Sequence, residues 1–568
     1  MGLFLLDYGA GNVQSLANSL TKLGHSFQWI SSPTDFQKAT ASTISKLLIF
    51  PGVGAFETAV ENLTKKGLLE PLKEYVQSGK PYFGICIGMQ ILFQASEESP
   101  NFHGLGVVPT TIDRFDDSAK TVPHMGWNSA DLVQSPDVES AFYYFVHSYC
   151  AKYCPADRPD TASWAYTTTQ YGGEIFISSI RRGNVFGTQF HPEKSGTAGL
   201  ALIDNWLRTP EAERSASKPE SLCSPPTLSL KPRDNLSKRI IACMDVRSDD
   251  DGNLIVTKGD QYDVREKVPS GHSIQVKTGG AVRNLGKPVT LASKYYMAGA
   301  DEICLLNITS FRHSPLQDQP MLAVVRAAAE CVFVPLTIGG GIKDTIDPDK
   351  TKRSALEVAS EYFRAGADKV SIGSDAVYAA EKLLASGQKH GDGTSSIETI
   401  AHTYGRQAVV VSIDPRRVYV EPTTYDGPYQ DELILGSLDS AFESDRGRSW
   451  WYACTVSGGR ETRPISVCQL ARAVETLGAG EILVNSIDRD GTGLGFDSDL
   501  LRLIKGCVKV PVVASSGAGR KEHFLDVFEQ TGVEAALAAG IFHRGEVDIG
   551  EVKECLAQHD IKVRTRIA

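Results

Sequence analysis

At 568 residues the chain exceeds one ordinary domain, so at least two hydrophobic cores are expected. A hydrophobic content of 42% with 22% charged residues is that of a soluble globular protein, and a formal net charge of −10 argues against a general nucleic-acid surface while leaving room for local phosphate pockets. The eleven cysteines are scattered without a C-x-x-C pair, which suits reduced thiols in the cytoplasm; Cys150 and Cys154 lack a second pair, which argues against zinc.

The N-terminus, MGLFLLDYGAGN, passes from a strand into a glycine turn with no basic region, long apolar core or cleavage signal, so no signal or transit peptide is expected. No uncharged apolar run is long enough to cross a bilayer, and no membrane partner is expected. DYGAGN could be taken for a nucleotide loop, but it lacks the third glycine and the later acidic residue of that motif. Strand-like GLFLLDY, KLLIF, PYFGI and NVFGTQF alternate with helix-like stretches, which predicts an open α/β sheet over residues 1–207.

Inside that region, PYFGICIGMQILFQ at 81–94 places Gly84, Cys86 and Gly88 as G-x-C-x-G, the thiol version of the elbow that turns sharply from strand into helix. Such a turn leaves the sulfur at the tip, beside helix N-terminal amides that favour thiolate. A free cysteine also packs as a small hydrophobe, so the catalytic reading needs a base. VFGTQFHPEK at 185–194 offers one: a strand runs into His191, and Glu193 follows across a proline expected to keep the backbone extended, with both side chains on one face. His191 could take the thiol proton and Glu193 orient the imidazole. Alone, His-Pro-Glu also suits a surface turn; beside G-x-C-x-G in one α/β domain it points to catalysis.

Residues 208–237 concentrate Pro, Ser and charge without apolar periodicity, as a linker does. Beyond it, over 238–568, YMAGADEICLLNI, FRAGADKVSIGSD, TLGAGEILVNSID and, more loosely, QTGVEAALAAGIF each read as helix end, glycine and buried strand. Gly299 and Gly478, and likewise Asp245 and Asp414, recur at similar offsets, the mark of a duplicated half. IIACMDV, VFVPLTIGGG, AVVVSIDP and VPVVASSGAG bring the strands to the eight of a (β/α)8 barrel, with 376–405 and 418–455 as insertions.

Chemistry in such a barrel sits at the C-terminal ends of the strands, where Asp245 and Asp414 would face each other from opposite sides, one as acid and one as base. Either could instead cap a helix. Glycine-rich turns after opposing strands, TIGGGIK with SIGSD and ASSGAG with ALAAG, could cradle a phosphate at each end of a long substrate, or merely permit left-handed turns. Arg239, Glu302, Lys369 and Glu481 each start a strand at the opposite end, as solvated turn charges or as the lining of an entrance.

FGICIGMQ, TQFHPEKSG, DYGAGN and VPHMGWN resemble the class I amidotransferases, in particular the glutaminase subunit of the imidazole glycerol phosphate synthase family, over nearly all of residues 1–207. The resemblance implies a Cys86–His191–Glu193 glutaminase triad and an oxyanion strand in PGVG, with Gly52 and Val53. It also implies a glutamine site of Gln90, Glu98, Ser148 and Tyr149. Residues 238–568 resemble the cyclase subunit of the same family. By that resemblance glutamine yields ammonia, which passes through the barrel to the substrate abbreviated PRFAR and gives imidazole glycerol phosphate and AICAR.

Asp245 and Asp414 match the family's acid/base pair and Lys258 its loop lysine, and Asn485, Asp490 and Gly491 match substrate-side positions. Gly340, Gly341, Gly373 and Ser374 match one phosphate site; Ser515, Gly517, Ala539 and Gly540 match the other, Gly540 replacing a serine common in bacterial members so that only its amide could bind. The four strand-start charges match the family's gate ring, and Lys194 pairs with Asp368 across the interface. The glutaminase is therefore expected to dock at the N-terminal end of the barrel, with no separate glutaminase subunit, cofactor or metal required. Rival readings are a glutaminase fused to a related bisphosphate-binding isomerase barrel, a pyridoxal phosphate synthase, which would need Schiff-base lysines, and a glutamine-sensing scaffold with dead sites.

Overall fold

The computed structural model describes residues 2–564 apart from 10, 42–45, 137–139, 217–224, 249–253, 259–261, 264–274, 279–280, 285, 309–315, 317–318, 439 and 441–442. The four strand-like stretches of the N-terminal half become Gly2–Leu6, Lys46–Phe50, Tyr82–Ile85 and Val185–Thr188, adjacent and mutually parallel. Their side chains alternate into two cores, with Leu6, Leu48, Phe50 and Tyr82 on one face and Leu5, Leu47, Ile49, Phe83 and Ile85 on the other. Helices Phe56–Lys65 and Leu69–Gln77 cover the first face; Val13–Lys22 and Gly196–Arg208 cover the second. Burial on both faces is why these strands read as continuous apolar runs.

Antiparallel strands Glu174–Arg182, Ala165–Tyr171 and Asp131–Leu132 extend the sheet beyond Val185–Thr188, and Gln28–Ile30 forms its other edge. Residues 225–237 of the linker run along this half of the protein. Tyr153 donates to the Pro226 carbonyl at 2.7 Å, Lys231 pairs with Asp131 at 2.8 Å, and the Gly172 amide donates to Asp234 at 2.7 Å.

The C-terminal half closes into eight parallel strands: Arg239–Ser248, Glu302–Asn307, Leu336–Gly339, Lys369–Ile372, Val409–Ile413, Glu481–Asn485, Val512–Ser515 and Ala535–Ala538. Pairing of Arg239 with Ala535 joins the first strand to the eighth. Ile241, Cys243, Cys304, Val410, Leu483 and Val513 fill the interior, while Ile240, Ala242, Met244, Ile303 and Leu305 face the helical ring. Residues 376–405 hold most of helix Ser374–Ser386 and a second helix, Ser396–Tyr404. Residues 418–455 contribute to an antiparallel sheet of Pro415–Val420, Ile434–Leu435, Ser449–Val456 and Glu461–Ser466.

The N-terminal unit seats on the end of the barrel where the strands begin. The Trp127 indole donates to the Asp301 carbonyl at 3.1 Å, the Gly196 amide to Phe333 at 2.9 Å and the Val122 amide to Lys509 at 3.0 Å. Asp301, fully buried, accepts the Ile240 amide at 2.9 Å and pairs with Lys553 at 2.6 Å and Arg564 at 2.8 Å; the Arg564 guanidinium lies 4.1 Å from the Trp127 ring centroid. Removing the carboxylate of Asp301→Ala leaves two cations without their counter-charge, one of them buried. It should cost about 3–5 kcal/mol, read as a lower denaturant midpoint at unchanged slope; a wild-type midpoint would contradict this role.

Candidate active site

Cys86 follows the strand Tyr82–Ile85 at φ 51° and ψ −105°, a backbone that an L-residue adopts only under constraint, and the helix Ile87–Gln90 begins at once. The flanking glycines permit this. A Cβ at Gly84 would lie 2.2 Å from the Gly88 carbonyl oxygen, and one at Gly88 would lie 2.2 Å from that of Phe50. The segment with Gly52 and Val53 packs on the same elbow: a Cβ at Gly52 would strike Ile87 at 1.7 Å, and the Val53 carbonyl accepts from the Tyr8 hydroxyl at 2.8 Å.

His191 and Glu193 meet beside this sulfur, with His191 Nδ1 at 2.8 Å from Glu193 Oε1 and both side chains buried. Their local backbone differs from the extended one expected. Thr188 ends the strand, His191 is extended at φ −98°, and Pro192–Lys194 form a short 3₁₀ turn. The fixed φ of Pro192 suits the first position of a helical turn, and the turn carries Glu193 back toward the ring. Burial works against a charged imidazole, but the Glu193 charge, the Cys86 charge and hydrogen bonds to both outweigh it, holding His191 well above its ordinary value.

The glutamine-site candidates also converge. Gln90 donates to the Tyr149 carbonyl at 3.2 Å and to Gln189 at 3.0 Å, and Gln189 reaches Cys86 Sγ at 3.6 Å. The Ser148 hydroxyl is buried and has no hydrogen-bond partner among the described residues. Glu98 accepts the Phe56 amide at 2.9 Å. Burial pushes its carboxyl up to about 7 against that hydrogen bond, with the Glu57 charge adding to the rise.

At the far end of the barrel, Asp245 lies on the first strand and Asp414 directly follows the fifth, half a turn of the barrel apart. Burial raises the Asp414 carboxyl; the Asn485 amide, donating at 3.1 Å, opposes this, and the Asp490 charge assists it. Gly340 and Gly341 (φ 87° and 80°) follow the third strand, while Gly373 caps the helix that Ser374 starts after the fourth. A Cβ at Gly340 would lie 2.2 Å from the Asn307 carbonyl oxygen, whereas among the described residues nothing lies within 4 Å of one at Gly341 or Gly373. Ser515 ends the seventh strand, Gly517 (φ 97°) follows, and Ala539 and Gly540 open a short helix after the eighth. The two glycine groups thus lie on neighbouring strand pairs across the barrel from each other. Asp490 and Gly491 are in an exposed turn after the sixth strand. Lys258 ends the strand Leu254–Lys258, and its side chain lies outside the described residues.

At the opposite end, Arg239, Glu302, Lys369 and Glu481 close into a ring of alternating charge. Arg239 pairs with Glu302 at 2.8 Å and with Glu481, and Lys369 pairs with Glu302 at 2.7 Å and Glu481 at 2.6 Å. All four are buried. Burial opposes ionisation of Glu481, but Arg239 and Lys369 win and hold it low. Lys194 pairs with Asp368 at 2.7 Å, and Asn12 donates to the same carboxylate at 2.9 Å.

Other contributors escaped the sequence reading. Gln189, two residues before His191 in TQFHPEK, could have been found by its motif. Met125 Sδ lies 3.7 Å from Lys369 Nζ, and the buried Tyr144 hydroxyl feels the Glu302, Arg239 and Glu481 charges; both stand on antiparallel strands with no distinctive spacing.

Residues 4–209 match the family described as glutamine amidotransferase class-I, and 239–548 match histidine biosynthesis protein. The chain is 50% identical to imidazole glycerol phosphate synthase hisHF of Emericella nidulans, over 99% of this chain and 98% of that one. It is 51% identical to the chloroplastic hisHF of Arabidopsis thaliana over 99% and 89%. The HisF subunit of imidazole glycerol phosphate synthase from Methanopyrus kandleri is 38% identical over 58% of this chain and 98% of its own.

Because the folded state raises the Glu98 carboxyl, Glu98 favours folding at low pH; that contribution is lost as pH rises through about 7, above which the half-buried carboxylate is a cost. Glu98→Gln should therefore be more stable than wild type by roughly 1–3 kcal/mol at alkaline pH, with the gap narrowing as the pH falls toward the ordinary carboxylate range. Urea titrations along the pH series check this, and a gap independent of pH would contradict it.

Proposed function

The chain belongs to the imidazole glycerol phosphate synthase family in its fused form, and from that premise we propose how its sites divide the work. It is a bifunctional enzyme of histidine biosynthesis, a glutamine amidotransferase and a cyclase in one polypeptide. In our reading residues 1–207 are the glutaminase, 208–237 the linker and 238–568 the cyclase.

Cys86 Sγ attacks the glutamine carboxamide carbon after giving its proton to His191, which Glu193 holds through Nδ1. His191 returns the proton to the departing ammonia, and a water activated by the same imidazole hydrolyses the thioester to glutamate. In this reading the segment of Gly52 and Val53 supplies the oxyanion donor, as the family resemblance implies. Glu98, as its carboxylate, takes the substrate ammonium, with Gln90, Ser148 and Tyr149 completing the pocket.

Ammonia then enters the barrel through the ring of Arg239, Glu302, Lys369 and Glu481 and reaches PRFAR at the other end. One phosphate is held at Gly340, Gly341, Gly373 and Ser374, the other at Ser515, Gly517, Ala539 and Gly540. Asp245 and Asp414 transfer the protons of cyclisation, Asn485 orients Asp414, and Asp490 and Gly491 serve the substrate side, to which Lys258 is assigned by the family resemblance alone. The raised Asp414 carboxyl supports its use as the acid. The observation that carries this reading is a complete Cys–His–Glu array seated on the opposite end of the same barrel from the paired aspartates. Among the described residues no helix is long and apolar enough to cross a membrane, and the described cysteines are free thiols; both suit a cytoplasmic enzyme.

Cys86→Ala should abolish glutamine-dependent turnover of PRFAR yet keep turnover with ammonium salt. Asp245→Asn and Asp414→Asn should each lose about 10²–10⁴-fold with either nitrogen source. Product analysis with both nitrogen sources checks this; loss of the ammonium reaction in Cys86→Ala would contradict the division into two chemistries.

A further inference from the structure

The antiparallel sheet that follows the fifth barrel strand sends polar contacts to three different parts of the cyclase site. From Ser449–Val456, Thr455 donates its amide at 3.1 Å and its hydroxyl at 2.7 Å to the carbonyl of Asp414. At the next turn the Ser457 amide donates to the Ser374 hydroxyl at 2.9 Å, and Arg463 grips Glu381, on the helix that Ser374 begins, through two bonds of 2.9 Å. The third contact is ionic. Arg417, three residues after Asp414, is buried with its guanidinium 4.4 Å from the Trp450 ring centroid. One arm pairs with Asp445 in the inserted segment and the other with Asp497 at 2.8 Å. Both carboxylates are 2% exposed.

Each carboxylate is itself oriented. The Tyr419 hydroxyl donates to Asp445 at 2.9 Å; those of Tyr452 and Ser486 donate to Asp497 at 2.9 and 3.1 Å. Ser486 and Asp497 bracket the turn that carries Asp490 and Gly491, whose start is fixed by the Asp490 amide on the Ser486 carbonyl at 3.0 Å. Asp488 in the same turn accepts the Arg417 amide at 2.9 Å.

A buried ion cluster is weak support for a fold, since apolar residues of similar volume serve stability as well or better; a rigid guanidinium fork instead fixes two carboxylates at a set spacing. We propose that this sheet braces the cyclase site, and that Arg417 and Asp445 are positioning residues that hold the 486–497 turn over the PRFAR cleft. The proposal rests on the reading of the barrel as the PRFAR cyclase. Asp445, contributed by the inserted segment, is its most specific element.

The test uses the full chain with PRFAR and ammonium salt, which bypasses the glutaminase. Asp445→Asn keeps the size of the side chain but breaks the charge pair, and should lower kcat/KM for PRFAR by about ten- to a hundredfold, mainly through KM. Asp445→Glu, which restores the charge, should recover most of the loss. Wild-type KM in Asp445→Asn would overturn the proposal; so would a loss shared equally by PRFAR-independent glutamine hydrolysis and not rescued by Asp445→Glu, because the cluster would then serve only the fold. A wild-type enzyme inactive on PRFAR with ammonium would overturn the cyclase reading instead, so the two failures are distinguishable.

Discussion

The arrangement depends on four charges buried where the two halves meet. Arg239, Glu302, Lys369 and Glu481 alternate in sign, and each acid touches both bases, so every desolvated charge has two opposite neighbours. The Thr337 hydroxyl gives Glu302 a further hydrogen bond at 2.5 Å. Removing one member would leave its neighbours uncompensated at a cost of several kcal/mol, whereas an apolar plug would close the barrel at least as stably. Stability alone therefore does not account for a polar ring on the barrel axis facing the glutaminase. A proposed ammonia entrance does, because it needs a polar constriction that shuts out bulk water.

Neighbouring residues link this ring to the groups around Cys86, His191 and Glu193 by covalent and polar contacts. Asp368, which holds Lys194 and Asn12, directly precedes Lys369 of the ring; Lys194 directly follows Glu193 of the triad. Tyr144 makes a parallel link: its carbonyl accepts the His191 amide at 2.9 Å while its hydroxyl lies within the field of the ring. Near the elbow, a Cβ at Gly54 would lie 3.6 Å from the Thr403 carbonyl oxygen of the barrel. A shift of the barrel helices thus has short covalent and hydrogen-bonded routes to the groups around Cys86, and any coupling along them must be reciprocal.

What the sequence made legible follows from where periodicity is strong. Parallel strands buried on both faces read as apolar runs, so the four strands around Cys86 and all eight barrel strands were visible, as was the G-x-C-x-G elbow, whose glycines are forced by backbone contacts near 2.2 Å. VPHMGWN, with Met125 and Trp127, carries the family resemblance but gives no role for either residue, and the strand of Tyr144 has no signal at all, because their aromatic and polar residues serve an interface that local pattern does not encode. The local backbone of Glu193 was misread for a related reason: a proline suits an extended segment and the first residue of a helical turn equally well, and only packing decides. The Arg417 cluster was invisible, since its partners, Asp445 and Asp497, are far apart in sequence.

The central claim is that ammonia released at Cys86 reaches PRFAR inside the protein. The most direct measurement supplies glutamine whose amide carries heavy nitrogen, together with PRFAR and an excess of unlabelled ammonium, and determines the isotope content of the imidazole glycerol phosphate formed. Transfer through the ring predicts product labelled almost as fully as the glutamine amide, with little dilution by the ammonium pool. Label diluted in proportion to free ammonium would contradict it, because the nitrogen would then have passed through solvent.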